Sequence, residues 1–392
     1  MSENVFTKAV HAGEAHVRSD YGVVDSIQSS SAFTFADTAA LLAMLNGEHA
    51  RDEYARYGSP NLRSVELKLA ALEASESAII FSSGMSALAL LFLTVLRPGD
   101  QLLYFDSCYH RTRQFCSEYL RAFGIRCTAI GTNDFEALAE ACDDRTRLIF
   151  AELPTNPHLT VIDLDRLVAL AKAKGIQTCI DSTLAGPTNI QPILSGVDYV
   201  VHSATKYLGG HNDLLAGVLC GSEADLLPVR NLNGILGAIP SPHTAHMLQR
   251  GLKTLPLRLA QQNKSGLAIA QFLALHPRVQ KVYYPGLETH PTYNLARKHL
   301  KGFGGLISFE LKGDAQETGR FIDALKIPRI GPSLGGVESL VEQPYLMSFY
   351  KTDPEVRKSL GIADSLVRLA VGIEDTDDLI ADLTQAFRQL EN

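Results

Sequence analysis

From Pro60 onward the apolar positions of this chain alternate between two spacings. Residues 61–72 carry helical spacing, and Ala78-Ile79-Ile80-Phe81 is a continuous apolar run of strand length. Ser82-Ser83-Gly84 then makes a turn, and a second helical stretch runs to Leu96. Further strands are predicted at 101–105, 125–130, 148–152, 177–180, 199–202 and 216–220, with helices such as 163–174 between several of them. Short, nearly continuous apolar strands between helices predict an α/β fold built on a mostly parallel sheet covered on both faces. The functional groups of such a sheet gather at the carboxyl ends of its strands.

The flanks differ. Residues 1–58 are mixed and show little periodicity, so they read as an extended arm with one helix near 36–45. After about residue 250 a long helical segment, 256–275, leads to a smaller α+β unit. That unit has strands at 306–311 and 366–371 and helices at 314–325 and 375–390. The expected division is an arm (1–58), an α/β domain (59–250) and a C-terminal domain (251–392), within what 392 residues allow.

Composition narrows the function classes. With 46% apolar and 20% charged residues the chain is an ordinary globular one, and its net charge of −7 argues against a nucleic-acid surface. The longest apolar run, 87–96, is too short to cross a bilayer and stops at Arg97-Pro98-Gly99. Met1-Ser2-Glu3-Asn4 does not open a signal peptide, and the six cysteines show no CxxC spacing. A reduced, cytoplasmic protein with no membrane partner is expected. His243 and His246 have helical spacing but no third ligand, so no metal is expected.

The chemistry-bearing residues lie at strand ends. Asp181 closes the run 177–180, and Lys206 follows the run 199–202 behind Ser203 and Thr205, with Gly209-Gly210 beyond it. Ser83, Gly84 and Met85 open a helix, where free backbone N–H groups suit a phosphate. Each has an ordinary reading alone: a helix cap for Ser83, a turn cap for Asp181, a surface amine for Lys206. Together they supply an amine for an aldehyde, donors for a phosphate and a carboxylate for a ring nitrogen, which is the equipment for pyridoxal phosphate (PLP). A Schiff-base lysine needs a neutral amine, and partial burial near other cations lowers its pKa in that direction.

The segment Ser203 to Asp213 (SATKYLGGHND) resembles the lysine motif of the Cys/Met-metabolism PLP family of fold-type I. That family includes cystathionine γ-synthases, cystathionine γ- and β-lyases and methionine γ-lyases. Tyr54-Ala55-Arg56-Tyr57-Gly58-Ser59-Pro60, Ser83-Gly84-Met85 and Glu152-Leu153-Pro154-Thr155-Asn156-Pro157 agree with it. So do Ser333-Leu334-Gly335-Gly336-Val337-Glu338-Ser339 and Arg368 with Gly372-Ile373-Glu374-Asp375. The resemblance implies that Lys206 is the Schiff-base lysine and proton carrier, and that Asp181 pairs with the pyridinium nitrogen. Gly84, Met85, Ser203 and Thr205 would hold the phosphate. Tyr54 and Arg56 would reach the phosphate of a neighbouring subunit in a homotetramer, a dimer of dimers. Tyr109 would stack on the ring and assist proton transfer, and Asn156 would lie near the ring's 3′-oxygen. Ser333 and Arg368 would take the substrate α-carboxylate.

Within the family the likeness is greatest to plant-type cystathionine γ-synthases. It rests on Cys108-Tyr109-His110-Arg111-Thr112-Arg113, on the Gly-Gly-His-Asn-Asp after the lysine, and on the run 339–350. Arg111 stands where those enzymes carry a lysine thought to meet a phosphate. Ser182 and Leu184 depart from the usual residues after the aspartate, and Tyr345 is bulkier than the usual alanine. Glu342 reads in two ways: an anion near the distal pocket that favours a cationic tail, or a solvated loop carboxylate. The function implied is γ-replacement on an activated homoserine, with Arg111, Arg113, Glu342 and Tyr345 choosing the leaving group. The alternatives are a γ-lyase acting on a substrate such as cystathionine or canavanine, and a cofactor-binding protein without catalysis.

Overall fold

The computed structural model describes residues 4–18, 21–49 and 51–390. Its larger sheet has seven strands: β1 (Ser77–Phe81), β2 (Gln101–Phe105), β3 (Arg126–Ile130), β4 (Thr146–Glu152), β5 (Gln177–Asp181), β6 (Tyr199–Ser203) and β7 (Gly217–Gly221). Their order is β1-β7-β6-β5-β4-β2-β3, and β7 runs antiparallel to both its neighbours while the other pairings are parallel. Side chains alternate between two buried faces. Ile80, Leu103, Ile149, Ile180, Val200 and Val218 pack into one core. Ile79, Leu102, Phe150, Cys179, Val201 and Leu219 pack into the other. Burial on both faces is why these strands read as continuous apolar runs.

Of the five helices that frame the arm and the site, the first four start at side-chain-capped positions. In chain order they are α1 (Val5–His11), α2 (Thr38–Leu45), α3 (Pro60–Glu73), α4 (Gly84–Val95) and α5 (His110–Gln114). Ser59 caps α3 ahead of Pro60, and Ser83 caps α4 by accepting from Ser86 N. The arm differs from its sequence reading, because it holds two helices rather than one. Helix α1 is capped by Asn4 and buries Ala9, and Lys68 Nζ, itself buried, donates to the carbonyls of Ala9 (2.9 Å) and Val10 (2.8 Å). A seven-residue helix with one buried side chain leaves no periodicity to read.

The second sheet contains β8 (Val279–Tyr283), β9 (Leu306–Leu311), β10 (Arg329–Ile330), β11 (Leu340–Glu342) and β12 (Leu366–Ala370), in the order β10-β11-β12-β9-β8. It encloses its own core of Ile307, Phe309, Phe321, Val367, Leu369 and Phe387. Helix Leu255–Leu275 packs on β8 and β9 and also meets α1. Strands β8, β10 and β11 are absent from the sequence reading: β8 exposes Gln280 and Lys281, and the other two are two and three residues long. Register sets Arg368 on β12 opposite Glu342 on β11.

Candidate active site

A cavity of about 550 Å³ opens where β1, β4, β5 and β6 end, and the second sheet supplies its far wall through Ser333, Glu342 and Arg368. At one end the backbone is pressed close. A Cβ on Gly84 would lie 3.0 Å from Ser203 Cα, and one on Gly217 would lie 2.0 Å from Ser83 O. The start of α4 can therefore seat directly against the end of β6, which brings its N–H groups beside Ser203 and Thr205. Thr205 Oγ1 accepts from Ala216 N (3.2 Å) and holds the lysine loop to β7. A phosphate fits this corner: small residues, a helix start and hydroxyls converge there.

Asp181 faces the same cavity. Its Oδ1 accepts from Thr183 N (3.0 Å) and from Thr183 Oγ1, which in turn accepts from Ser203 N (2.8 Å). Burial pushes the Asp181 carboxyl up, and the Thr183 hydrogen bonds oppose that. A cationic ring nitrogen would relieve the burial cost and hold the carboxylate charged.

Lys206 Nζ donates to Ser333 Oγ at 2.7 Å. Burial first, then the nearby Arg368, pull its pKa down to about 8, against the opposing pull of Glu342. An aldehyde needs the free amine, so uptake of pyridoxal phosphate by the cofactor-free protein is expected to rise with pH through about 8. Stopped-flow absorbance across pH 6–10 measures this, and a midpoint near the ordinary lysine value would contradict it. Ser333 has φ +113°, a strained value for a side chain, and is held from both ends: Lys206 takes its hydroxyl and Arg368 Nη2 donates to its carbonyl (3.1 Å).

Arg368 is buried, 7% exposed, and it also donates to Asn156 Oδ1 (3.3 Å) and pairs with Glu342 Oε2 (3.1 Å). Its Nε has no partner, which leaves donor capacity for an incoming carboxylate. Glu342 is thus a buried strand residue at the inner wall rather than a solvated loop carboxylate. Burial raises its pKa, and Arg368 and then Lys206 oppose the rise.

The other wall is α5 with the residue before it. Tyr109 precedes the helix, half exposed to the cavity, with its ring centroid 4.6 Å from that of His110 in an edge-on arrangement. Its backbone N–H donates to Glu152 Oε2 at 2.8 Å. Arg111 and Arg113 also line the cavity, bonded to Gln114 Oε1 (2.8 Å) and Asp106 O (3.4 Å). Met85 lines it as well, and Leu184 does so while Ser182 is fully buried. Tyr345 does not line it: its ring lies under the Arg357 guanidinium at 4.3 Å.

The expected residues therefore converge, apart from Tyr345 and two more. Tyr54 and Arg56 lie away from the cavity of their own chain. Tyr54 bridges to Ala32, and Arg56 spans the rings of Tyr54 and Tyr57 and donates to the carbonyl of Gly234. Glu152 belongs to the site and was not among the residues expected there. Its signal was a charged side chain ending the apolar run 148–151.

The model of the family described as "Cys/Met metabolism PLP-dependent enzyme" matches residues 6–388. The chain is 43% identical to cystathionine γ-synthase 1, chloroplastic, of Nicotiana tabacum, over 97% of this chain and 71% of that one. It is 38% identical to L-methionine γ-lyase of Pseudomonas putida, over 97% and 96%. The crystal structure of cystathionine γ-lyase from Lactobacillus plantarum complexed with L-serine superposes with a TM-score of 0.92 at 33% identity, covering 99% of this chain and all of that one.

Proposed function

Since the chain belongs to the Cys/Met metabolism PLP-dependent enzyme family, we propose that it catalyses γ-replacement, in which a thiol such as cysteine displaces the leaving group of an activated homoserine. Its cofactor is pyridoxal 5′-phosphate, and it is an enzyme of the γ-carbon, of the replacement or elimination type. The observation that carries the choice of replacement is a cavity lined by arginines from two walls. Arg368 lies buried on β12, and Arg111 and Arg113 stand on α5. Among the described residues neither α5 arginine forms an ion pair with a carboxylate, so both remain available to an anion. A substrate with a carboxylate at one end and a phosphate or acidic ester at the other offers an anion to each wall. A neutral methylthio group does not.

Bound pyridoxal phosphate supplies an aldehyde for the substrate amine and a ring that accepts electrons from Cα and Cβ. Arg368 holds the α-carboxylate, and Ser333 holds Lys206 beside it. Lys206, whose neutral fraction is raised by a pKa of about 8, takes the proton from Cα and, once it has passed that proton on to the cofactor's C4′, would be free to take a second from Cβ. Arg111 receives the negative charge that leaves Cγ, and the incoming thiol adds where that group left. Asp181 would pair with the ring nitrogen and keep it protonated.

The test is a substrate panel of O-phospho-, O-succinyl- and O-acetylhomoserine, with and without cysteine, beside cystathionine and canavanine alone. Thioether product that forms only with cysteine present is expected. Rapid cleavage of cystathionine or canavanine without a thiol would assign the enzyme to elimination instead.

Tyr54 and Arg56 are assigned to a second copy's phosphate, because Tyr54 is exposed and neither lines its own chain's cavity. This reading requires at least a dimer. It predicts that Lys206→Ala and Arg56→Ala proteins, each impaired alone, regain activity when co-assembled, since one mixed site holds both native residues. No recovery in verified mixed oligomers would place Arg56 in its own chain's site.

A further inference from the structure

Strands β4 and β5 run parallel with Glu152 in register opposite Asp181. Two residues back, Phe150 and Cys179 lie in the same core, so both carboxyl groups rise on one face at the cavity floor. Glu152 is 2% exposed. It forms no ion pair among the described residues; the backbone N–H of Tyr109 donates to it (2.8 Å), and that of Asn156 adds a weaker attraction. Those two residues begin the opposite walls: Tyr109 starts α5, and Asn156 bonds Arg368.

We propose that Glu152 is a positioning residue that works as a neutral carboxyl, seating Tyr109 and Asn156 by their backbones and leaving Asp181 as the one charged carboxylate beneath the ring. Two buried carboxylates on one face repel, so one keeps its proton, and Asp181 is the one that meets a cation when the cofactor is bound. The groups facing Glu152 agree. Burial and the Asp181 charge push its pKa well up, against the two backbone N–H groups and Arg113 on α5. The Cys108 thiol is buried nearby and pushed up as well, and Arg368 acts from β12. The assignment rests on the cofactor seat and does not depend on the choice between replacement and elimination.

Glu152→Gln keeps an acceptor for both N–H groups and carries no charge, so it mimics the proposed state. Glu152→Ala removes the anchor. The experiment loads wild type and both variants with pyridoxal phosphate and records visible circular dichroism of the cofactor, kcat and KM, with far-UV circular dichroism as the check on folding. Infrared difference spectra of wild type against Glu152→Gln report the carboxyl's proton. Glu152→Gln is expected to keep the wild-type dichroic band and to lose less than about tenfold in kcat, because Tyr109 stays in place. Glu152→Ala is expected to lose about 30- to 100-fold in kcat, with a smaller change in KM and a weakened dichroic band, the scale of a misplaced catalytic group. The infrared spectrum is expected to show a protonated-carboxyl band that Glu152→Gln removes. A Glu152→Gln protein as impaired as Glu152→Ala, or a folded Glu152→Ala protein with the native band and rate, would overturn the proposal. Wild type without a protonated-carboxyl band would also overturn it. If Glu152→Ala does not fold, the Glu152→Gln rate and the infrared band still decide.

Discussion

Turnover by the Lys206→Ala protein is expected to fall by about 10⁴-fold or more, the scale of losing the nucleophile from a catalytic unit. The amine is partly buried, bonded to Ser333 Oγ and lowered to a pKa of about 8, and among the described residues no other lysine lines the cavity. The fold is expected to survive the change, because the lysine loop is held by its backbone. Lys206 N donates to Ser203 O (3.1 Å), and Gly210 N donates to Lys206 O (2.8 Å). Lys206→Arg is expected to be equally inactive, since a guanidinium keeps its charge at every working pH and cannot attack an aldehyde. Steady-state kinetics with a thermal melt check both parts. Turnover by Lys206→Ala within tenfold of wild type would remove Lys206 from the reaction.

Arg368→Ala is expected to lower kcat/KM by about 10²- to 10⁴-fold, the loss of two charge-assisted hydrogen bonds to a carboxylate. It also leaves Glu342 buried without its partner, and breaking such a pair from one side costs about 3–5 kcal/mol of stability. The double variant Arg368→Ala/Glu342→Gln separates the two effects. Without the stranded carboxylate its melting temperature is expected to recover, while kcat/KM stays low. Activity that returned with stability would mean that Arg368 serves the fold and not the substrate.

The strands of the large sheet were legible because both of its faces are buried, so β2, β4, β5 and β6 read as nearly continuous apolar runs. Lys206, Asp181 and the Ser83–Met85 turn were legible because they interrupt those runs at strand ends. The remaining site residues came from motif resemblance, and the structure brings most of them to one cavity. What the sequence hid depends on non-local pairing. Arg368 and Glu342 meet through register between β12 and β11, and β11 is only three residues long. Glu152 acts through two backbone N–H groups, a role that no spacing encodes. Helix α1 is held by tertiary contacts, with Lys68 capping its carbonyls from α3. Tyr345 looked like part of the pocket wall by position, but cation–π contact with Arg357 draws its ring away.

The central claim is that the chemistry is anchored on Lys206 at the end of the large sheet, and covalent mapping tests it most directly. The enzyme loaded with pyridoxal phosphate is reduced with borohydride, digested and sequenced by mass spectrometry. The phosphopyridoxyl group is predicted on the peptide containing Lys206, with stoichiometric loss of the visible absorbance. A label on a different lysine, or none at all, would contradict the account.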